Sequence, residues 1–132
     1  VFRLSSLKRN MRSELKNSRK IYFYDNGVRN ALISNFPPID LRNDNGALWE
    51  NFVIAERMKM IEYNGIWCNK YFWRTKDQTE IDYVEDEDGI LRAYEMKFNP
   101  ARKARLPESF KQAYPNHEFK IITPKNIEEF LL

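Results

Sequence analysis

Short runs of β-branched and aromatic residues alternate along this chain with longer segments whose apolar residues have helical spacing. The short runs predict strands over residues 20–24, 70–74, 80–84, 91–98 and 119–123. The longer segments predict helices over residues 46–63, 108–114 and 126–131. Residues 28–33 predict one helical turn, and Pro37 and Pro38 predict an extended connection after it. The order predicts an α/β fold in which helices flank a mixed sheet, with three consecutive strands forming a meander.

The predicted helix over residues 46–63 is apolar over most of its circumference. Asp44 or Asn45 can cap its start, and Asn64 followed by Gly65 predicts its end. We therefore expect this helix to be largely buried. Glu50 is a charged residue on this helix, and its neighbours one helical turn away are uncharged. Since a buried carboxylate needs a partner, we expect Glu50 to meet a metal ion or a lysine.

Side-chain alternation gathers charged residues on two of the predicted strands. On the strand over residues 91–98, the apolar side chains share the core face: Tyr94, Met96 and Phe98. Glu95 and Lys97 therefore share the other face. On the strand over residues 80–84, one face carries Glu80, Asp82 and Val84, opposite Ile81 and Tyr83. If the two strands pair as a hairpin, Asp82 lies close to Glu95.

Composition limits the classes of protein that this chain can belong to. Its 132 residues are enough for one domain, and 42% hydrophobic with 31% charged residues is typical of a globular protein. No apolar run is long enough to span a membrane and no signal peptide is evident, so we expect a cytoplasmic location without a membrane partner. The single cysteine and single histidine exclude an internal disulfide and a zinc cluster, so any metal must bind to oxygen ligands.

Basic residues are concentrated in two parts of the chain. The first thirty residues are strongly basic, and a second cluster follows the predicted strand over residues 91–98, at Lys97, Arg102, Lys103, Arg105 and Lys111. Both clusters could neutralise the phosphates of a nucleic acid, and both could equally be a solvated surface. None of the 4 glycines lies in a phosphate-binding loop.

The acidic residues and one lysine resemble the motif of the PD-(D/E)xK phosphodiesterases. That motif is an Asp, then Glu-x-Lys on a neighbouring strand, with an acid on a preceding helix; here these positions are Asp82, Glu95, Lys97 and Glu50. The resemblance implies that Asp82 and Glu95 bind Mg²⁺ or Mn²⁺, that Glu50 acts directly or through water, and that Lys97 orients the attacking water. It also implies a catalytic role for all four. The short Asp and Glu-x-Lys pattern alone is more often explained by a surface salt bridge, whereas the order of a helix with Glu50, then Asp82, then Glu95 and Lys97 favours the motif.

Five further residues are candidate phosphate contacts, and for each of them an ordinary surface role is the alternative. Two precede the strand of Asp82, two follow Lys97, and one lies in a later helix where relatives of the PD-(D/E)xK class carry a glutamine: Arg74, Lys76, Arg102, Lys103 and Gln112.

A closer resemblance covers nearly the whole chain. The segments at residues 20–30, 46–53, 71–75 and 80–84 resemble the uncharacterised carboxy-terminal domain of bacterial and archaeal AAA+ ATPases, the domain of unknown function 4143. This implies that residues 1–19 are the tail of an upstream winged-helix and ATPase part, and that residues 20–132 are a nuclease-like domain with a restriction-endonuclease-like sheet. One departure from the PD-(D/E)xK pattern is that Glu80 and Ile81, rather than a Pro-Asp pair, precede Asp82.

Three functions are consistent with these patterns. The first is a Mg²⁺-dependent nuclease controlled by the linked ATPase. The second is a module that binds nucleic acid or a protein and transmits the ATPase cycle without cleavage. The third is a protein-recognition domain that has no nucleic-acid partner.

Overall fold

A computed structural model describes residues 1–7, 19–25 and 45–131 of this chain. The described residues form six strands and three helices in the order β1 Phe2–Ser6, β2 Arg19–Tyr22, α1 Asn45–Tyr63, β3 Asn69–Arg74, β4 Glu80–Glu87, β5 Ile90–Met96, α2 Glu108–Ala113, β6 His117–Ile122 and α3 Ile127–Leu131. Every predicted helix and strand within these ranges is present. The predicted turn at residues 28–33, the Pro37–Pro38 connection and the cap at Asp44 lie outside the described residues.

All six strands belong to one mixed sheet in the order β2-β1-β3-β4-β5-β6. The pairs β1–β3 and β5–β6 are parallel, and the other three pairs are antiparallel. Strands β3, β4 and β5 are neighbours in sequence and in the sheet, which confirms the predicted meander. The predicted fold, an α/β domain with a mixed sheet flanked by helices, is confirmed.

Strand β1 was not among the predicted elements. Its Leu4 and the following Leu7 are buried, and β1 lies inside the sheet between β2 and β3. The predicted boundary at residue 19 therefore divides this sheet. Strand β1 precedes the boundary, β2 begins at it, and the two strands pair with each other.

Helix α1 is buried on one side. Leu48, Val53, Ile54 and Ile61 are fully buried, whereas Tyr63 is 90% exposed. The prediction of a largely buried helix is therefore confirmed for the side that faces the sheet. Gly65 ends the helix with a φ of +66°, a conformation that favours glycine because it has no Cβ.

Apolar side chains pack on both faces of the sheet. Helices α1 and α3 cover one face, where the core contains Val53, Phe72, Tyr83, Met96 and Phe130 among others. Helix α2 covers the other face, with a core that includes Trp73, Ile81, Val84, Ala93 and Phe110. Both faces of the central strands are therefore buried.

A bulge in β4 changes the predicted side-chain alternation. Trp73 of β3 pairs with Ile81, but Tyr71 pairs with Val84, so β4 contains one extra residue between these pairs. As a result Ile81 packs on the α2 side and Tyr83 on the α1 side. The prediction that Ile81 and Tyr83 share a face was wrong, as was the grouping of Val84 with Glu80 and Asp82, because simple alternation holds only in a strand without a bulge.

Candidate active site

A cleft of about 550 Å³ lies between the first turns of α1 and the segment that joins β5 to α2. Carboxylates, one lysine and one arginine contribute most of its polar side chains. The lining residues are Gly46, Ala47, Glu50, Asp82, Glu95, Met96, Lys97, Phe98, Asn99 and Arg102. The structure thus brings Glu50, Asp82, Glu95 and Lys97 together, although they lie up to 47 residues apart in the chain.

The carboxyl groups of Asp82 and Glu95 each accept a hydrogen bond from the backbone of the other strand, where β4 and β5 cease to pair regularly. The backbone N–H of Asp82 donates to Glu95 Oε1 (3.3 Å), and the backbone N–H of Met96 donates to Asp82 Oδ2 (3.0 Å). The β4–β5 ladder reaches Tyr83 and Tyr94, the residues next to them. The bulge therefore frees Asp82 from the ladder with β3 and places the two carboxyl groups side by side.

This contact makes Glu95 a weaker acid than an ordinary glutamate. Burial and the charge of Asp82 raise the pKa of Glu95 to about 8, although the nearby charge of Lys97 opposes the shift. Two carboxyl groups in contact cannot both ionise without a counter-charge. Near neutral pH Glu95 therefore favours its protonated form beside Asp82.

Lys97 follows β5 directly. Its backbone N–H donates to the carbonyl of Ile122 on β6 (2.9 Å), which fixes the chain beside the cleft. Within residues 1–7, 19–25 and 45–131, every carboxylate oxygen lies beyond ion-pair distance of the Lys97 ammonium group. Among these described residues, Lys97 therefore forms no salt bridge that would account for the motif.

The carboxylate of Glu50 has different partners. Its Oε2 accepts hydrogen bonds from Tyr22 Oη (2.5 Å) and Lys20 Nζ (2.9 Å), both on β2. Lys20 Nζ also donates to Glu80 Oε1 (2.8 Å), and Glu80 in turn pairs with Arg74 (3.2 Å). The network contains two carboxylates and two cations, so its charges balance without Asp82 and Glu95.

The ionisation of this network follows from its burial and its charges. Burial and the charge of Asp82 raise the pKa of Glu50, against the opposing effects of Lys20 and Tyr22. Burial disfavours the charged form of Lys20, but Glu50 and Glu80 outweigh it and raise the pKa of Lys20. Burial and the charge of Glu50 raise the pKa of Tyr22, so its hydroxyl remains a donor.

Of the candidate phosphate contacts, Arg102 lines the cleft and is exposed. Arg74 lies in the network around Glu80, with its guanidinium group over the ring of Phe72 (5.3 Å). The other three side chains are not among the described residues that line the cleft: Lys76 is exposed in the turn after β3, Lys103 is exposed beside Arg102, and Gln112 is exposed on α2, on the opposite face of the sheet from α1.

Lys20 and Tyr22 were not among the predicted residues of the site. The signal was present, because residues two apart on a strand face the same side. The strand over residues 20–24 was predicted, but its position beside α1 depends on β1, which was not. Glu80 was placed on the face of Asp82, yet its pairing with Lys20 could not be predicted.

Whether these residues suit a metal ion depends on Glu50. In the described part of the chain, no three acidic, histidine or cysteine side chains are arranged to hold a metal ion. Lys20 and Tyr22 occupy one oxygen of Glu50, and their contacts reduce the negative charge that this carboxylate can offer a metal ion. Asp82 and Glu95 alone still fit Mg²⁺, which needs only one or two protein carboxylates and keeps several waters. The charge of Lys97 opposes that of the pair, because it lowers the pKa of Glu95.

Fold and site together define an α/β domain with a six-stranded mixed sheet and an acidic cleft beside its longest helix. The chain belongs to the family described as Domain of unknown function (DUF4143), which matches residues 45–129. This confirms the predicted family. The match includes all four predicted site residues and excludes β1 and β2. Comparisons with curated proteins and with solved structures found no significant match. Among the described helices, none is both long and apolar enough to cross a membrane.

Proposed function

We propose that this domain hydrolyses phosphodiester bonds of nucleic acids with Mg²⁺ or Mn²⁺, in the manner of the PD-(D/E)xK phosphodiesterases. The observation that supports it is the contact between Asp82 and Glu95 in a cleft that also contains Lys97. A carboxyl group whose pKa is raised by a neighbouring carboxylate is at a place where a divalent cation can replace the proton.

Asp82 and Glu95 would hold the metal ion, which supplies positive charge and a bound water of lowered pKa. Lys97, without an ion pair among the described residues, would orient the attacking water and neutralise a phosphate oxygen. Arg102, exposed at the same cleft, would contact the phosphate of a neighbouring nucleotide. All four of these residues line the cleft, so each proposed role is consistent with the position of its residue.

The same proposal places this domain after a winged-helix segment and an AAA+ ATPase, in the cytoplasm. Its support is the resemblance of the chain to carboxy-terminal domains of such ATPases. In this arrangement the motor would control when nucleic acid reaches the cleft.

A second candidate is a module that binds nucleic acid or a protein without cleaving it. The observation that favours it is the engagement of Glu50 with Lys20 and Tyr22, which offsets part of the negative charge that a metal ion would need. The exposed Arg102, Lys103 and Arg105 would then bind phosphates without metal.

The two candidates differ in their dependence on metal. We expect calorimetric titration of Mg²⁺ and Mn²⁺ at pH 8.5 to show binding to the wild type and at least tenfold weaker binding to Asp82→Asn. We expect Lys97→Met to bind metal normally but to cleave labelled DNA or RNA about 100-fold more slowly, since the loss of one group that stabilises charge in the transition state costs about that much.

Glu62→Gln is the matched control, because it changes an exposed carboxylate of α1 remote from the cleft lining. A wild type that takes up no metal, yet binds nucleic acid equally well in EDTA, would exclude the nuclease and establish the binding module.

A further inference from the structure

We propose that Lys20 and Tyr22 are positioning residues that orient Glu50 toward the cleft, so that β2 is part of the active site. The inference rests on the proposed function and extends the site beyond the family match at residues 45–129. It assigns a role to a strand that belongs to neither the predicted motif nor the matched segment.

The two oxygens of Glu50 differ in their partners. Both donors from β2 bind Oε2, at 2.5 Å from Tyr22 Oη and 2.9 Å from Lys20 Nζ. Among the described residues, no donor binds Oε1, although Glu50 lines the cleft. Two donors on one oxygen restrict the orientation of the carboxylate, and the described residues leave the second oxygen to accept a hydrogen bond from water or substrate or to coordinate a metal ion.

A second contact holds β2 in register with α1. The side-chain amide of Asn51 donates to the carbonyl of Phe23 (2.6 Å) and accepts from its backbone N–H (2.9 Å). Asn51 is 4% exposed and is the residue after Glu50. This two-point contact fixes the chain just beyond β2, so Lys20 and Tyr22 reach Glu50 in a defined geometry.

The donors are themselves held in place. The ammonium group of Lys20 bridges Glu50 and Glu80 and lies over the rings of Tyr22 (5.7 Å) and Phe72 (5.6 Å). The ring of Tyr22 stacks on Phe2 of β1 (5.4 Å between centroids). A group with contacts on several sides loses little further freedom when it binds, which is the property of a residue that orients another.

Substitutions in the whole chain test this inference. We expect Tyr22→Phe and Lys20→Met each to lower the cleavage rate kcat at least tenfold with KM changed less than twofold, because a misoriented Glu50 affects the reaction more than substrate binding. Lys20→Arg should recover most of the rate, since it restores a cation between Glu50 and Glu80. Tyr24→Phe is the matched control, because Tyr24 is exposed and in the same segment.

Crystal structures of the same variants separate this inference from the proposed function. We expect the Glu50 carboxylate to move by about 1 Å or more when a donor is lost, a displacement large enough to affect catalysis. An unmoved carboxylate in both Tyr22→Phe and Lys20→Met would overturn the positioning role, even if the wild type proves inactive. Unchanged kcat in both variants of an active enzyme would overturn it as well. An inactive wild type whose Glu50 moves as expected would refute only the nuclease proposal.

Discussion

Replacing Arg57 with methionine is expected to lower the free energy of unfolding by about 3–5 kcal/mol, because it leaves a buried carboxylate without its counter-charge. Arg57 Nε and Nη2 donate to the two oxygens of Glu85 at 2.8 and 2.9 Å. Glu85 is 3% exposed and also accepts from Tyr83 Oη (2.7 Å). Thermal unfolding should show a midpoint lower by about 10–20 °C for a domain of this size.

A double substitution tests the cause. Arg57→Met combined with Glu85→Gln should be more stable than Arg57→Met alone, because a neutral amide is less costly to bury than a carboxylate and can still accept from Tyr83. Equal stability of the two variants would show that Arg57 acts through packing against Phe130, over whose ring its guanidinium group lies (4.5 Å).

Arg92 provides the matched control on the surface of the same domain. It pairs with Glu87 at 3.4 Å and with Glu118 at 3.7 Å, and both partners are substantially exposed. Arg92→Met should therefore cost less than about 1 kcal/mol, because solvent screens exposed ion pairs. A similar loss in both arginine variants would contradict the importance of burial.

The Arg57–Glu85 pair also bears on the site. Arg57 and Glu50 are seven residues apart on α1, which is two helical turns, so both face the sheet. Arg57 Nη1 donates in addition to the carbonyl of Phe130 (2.5 Å), which joins α1 to α3. These contacts fix the rotation of α1 about its axis, and with it the direction of Glu50.

Local pattern was sufficient to predict most of the elements. The apolar and polar spacing of residues 46–63 gave helix α1 within one residue at its start, and the alternation in β5 correctly placed Tyr94 and Met96 in one core. Asp82 and Glu95 were expected to meet, and they do. Such features depend on residues close together in sequence, so a single sequence contains them.

Long-range pairing was not predictable in the same way. Strand β1 has only five residues and gains its place from pairing with β2 and β3, and the bulge in β4 is defined only relative to β3. The contact of Lys20 with Glu50 depends on the pairing of β2 with β1 and on the position of α1 beside them. The hydrogen bonds of the candidate site therefore depend on contacts that no local window contains.

The pH dependence of stability provides a direct test of the Asp82–Glu95 pair. The folded pKa of Glu95, about 8, lies above its ordinary value of 4.5, so the folded state binds more protons between these two values. The stabilisation that Glu95 contributes is complete below pH 4.5 and is lost progressively as the pH rises from there through 8. We expect Glu95→Gln to remove this loss and to be more stable than the wild type at pH 8.5, by on the order of 3 kcal/mol.

Chemical denaturation at several pH values between 4.5 and 9 measures the difference between the two proteins. Using the difference cancels the contributions of ionisable groups that are remote from the pair. Glu62→Gln, on the exposed side of α1, should follow the wild type throughout. If the free energies of unfolding of Glu95→Gln and the wild type changed in parallel with pH, the raised pKa of Glu95 would be contradicted.

Mg²⁺ connects this measurement to the proposed function. At pH 8.5 the two carboxylates of the wild type repel each other most strongly, so a bound cation should restore much of the lost stability. Glu95→Gln has only one carboxylate at this position and should gain far less from the same Mg²⁺ concentration. Because ionisation must precede metal binding, stabilisation of the wild type by Mg²⁺ should also fade as the pH is lowered below 8. Equal stabilisation of both proteins by Mg²⁺ at every pH would mean that the metal ion binds elsewhere.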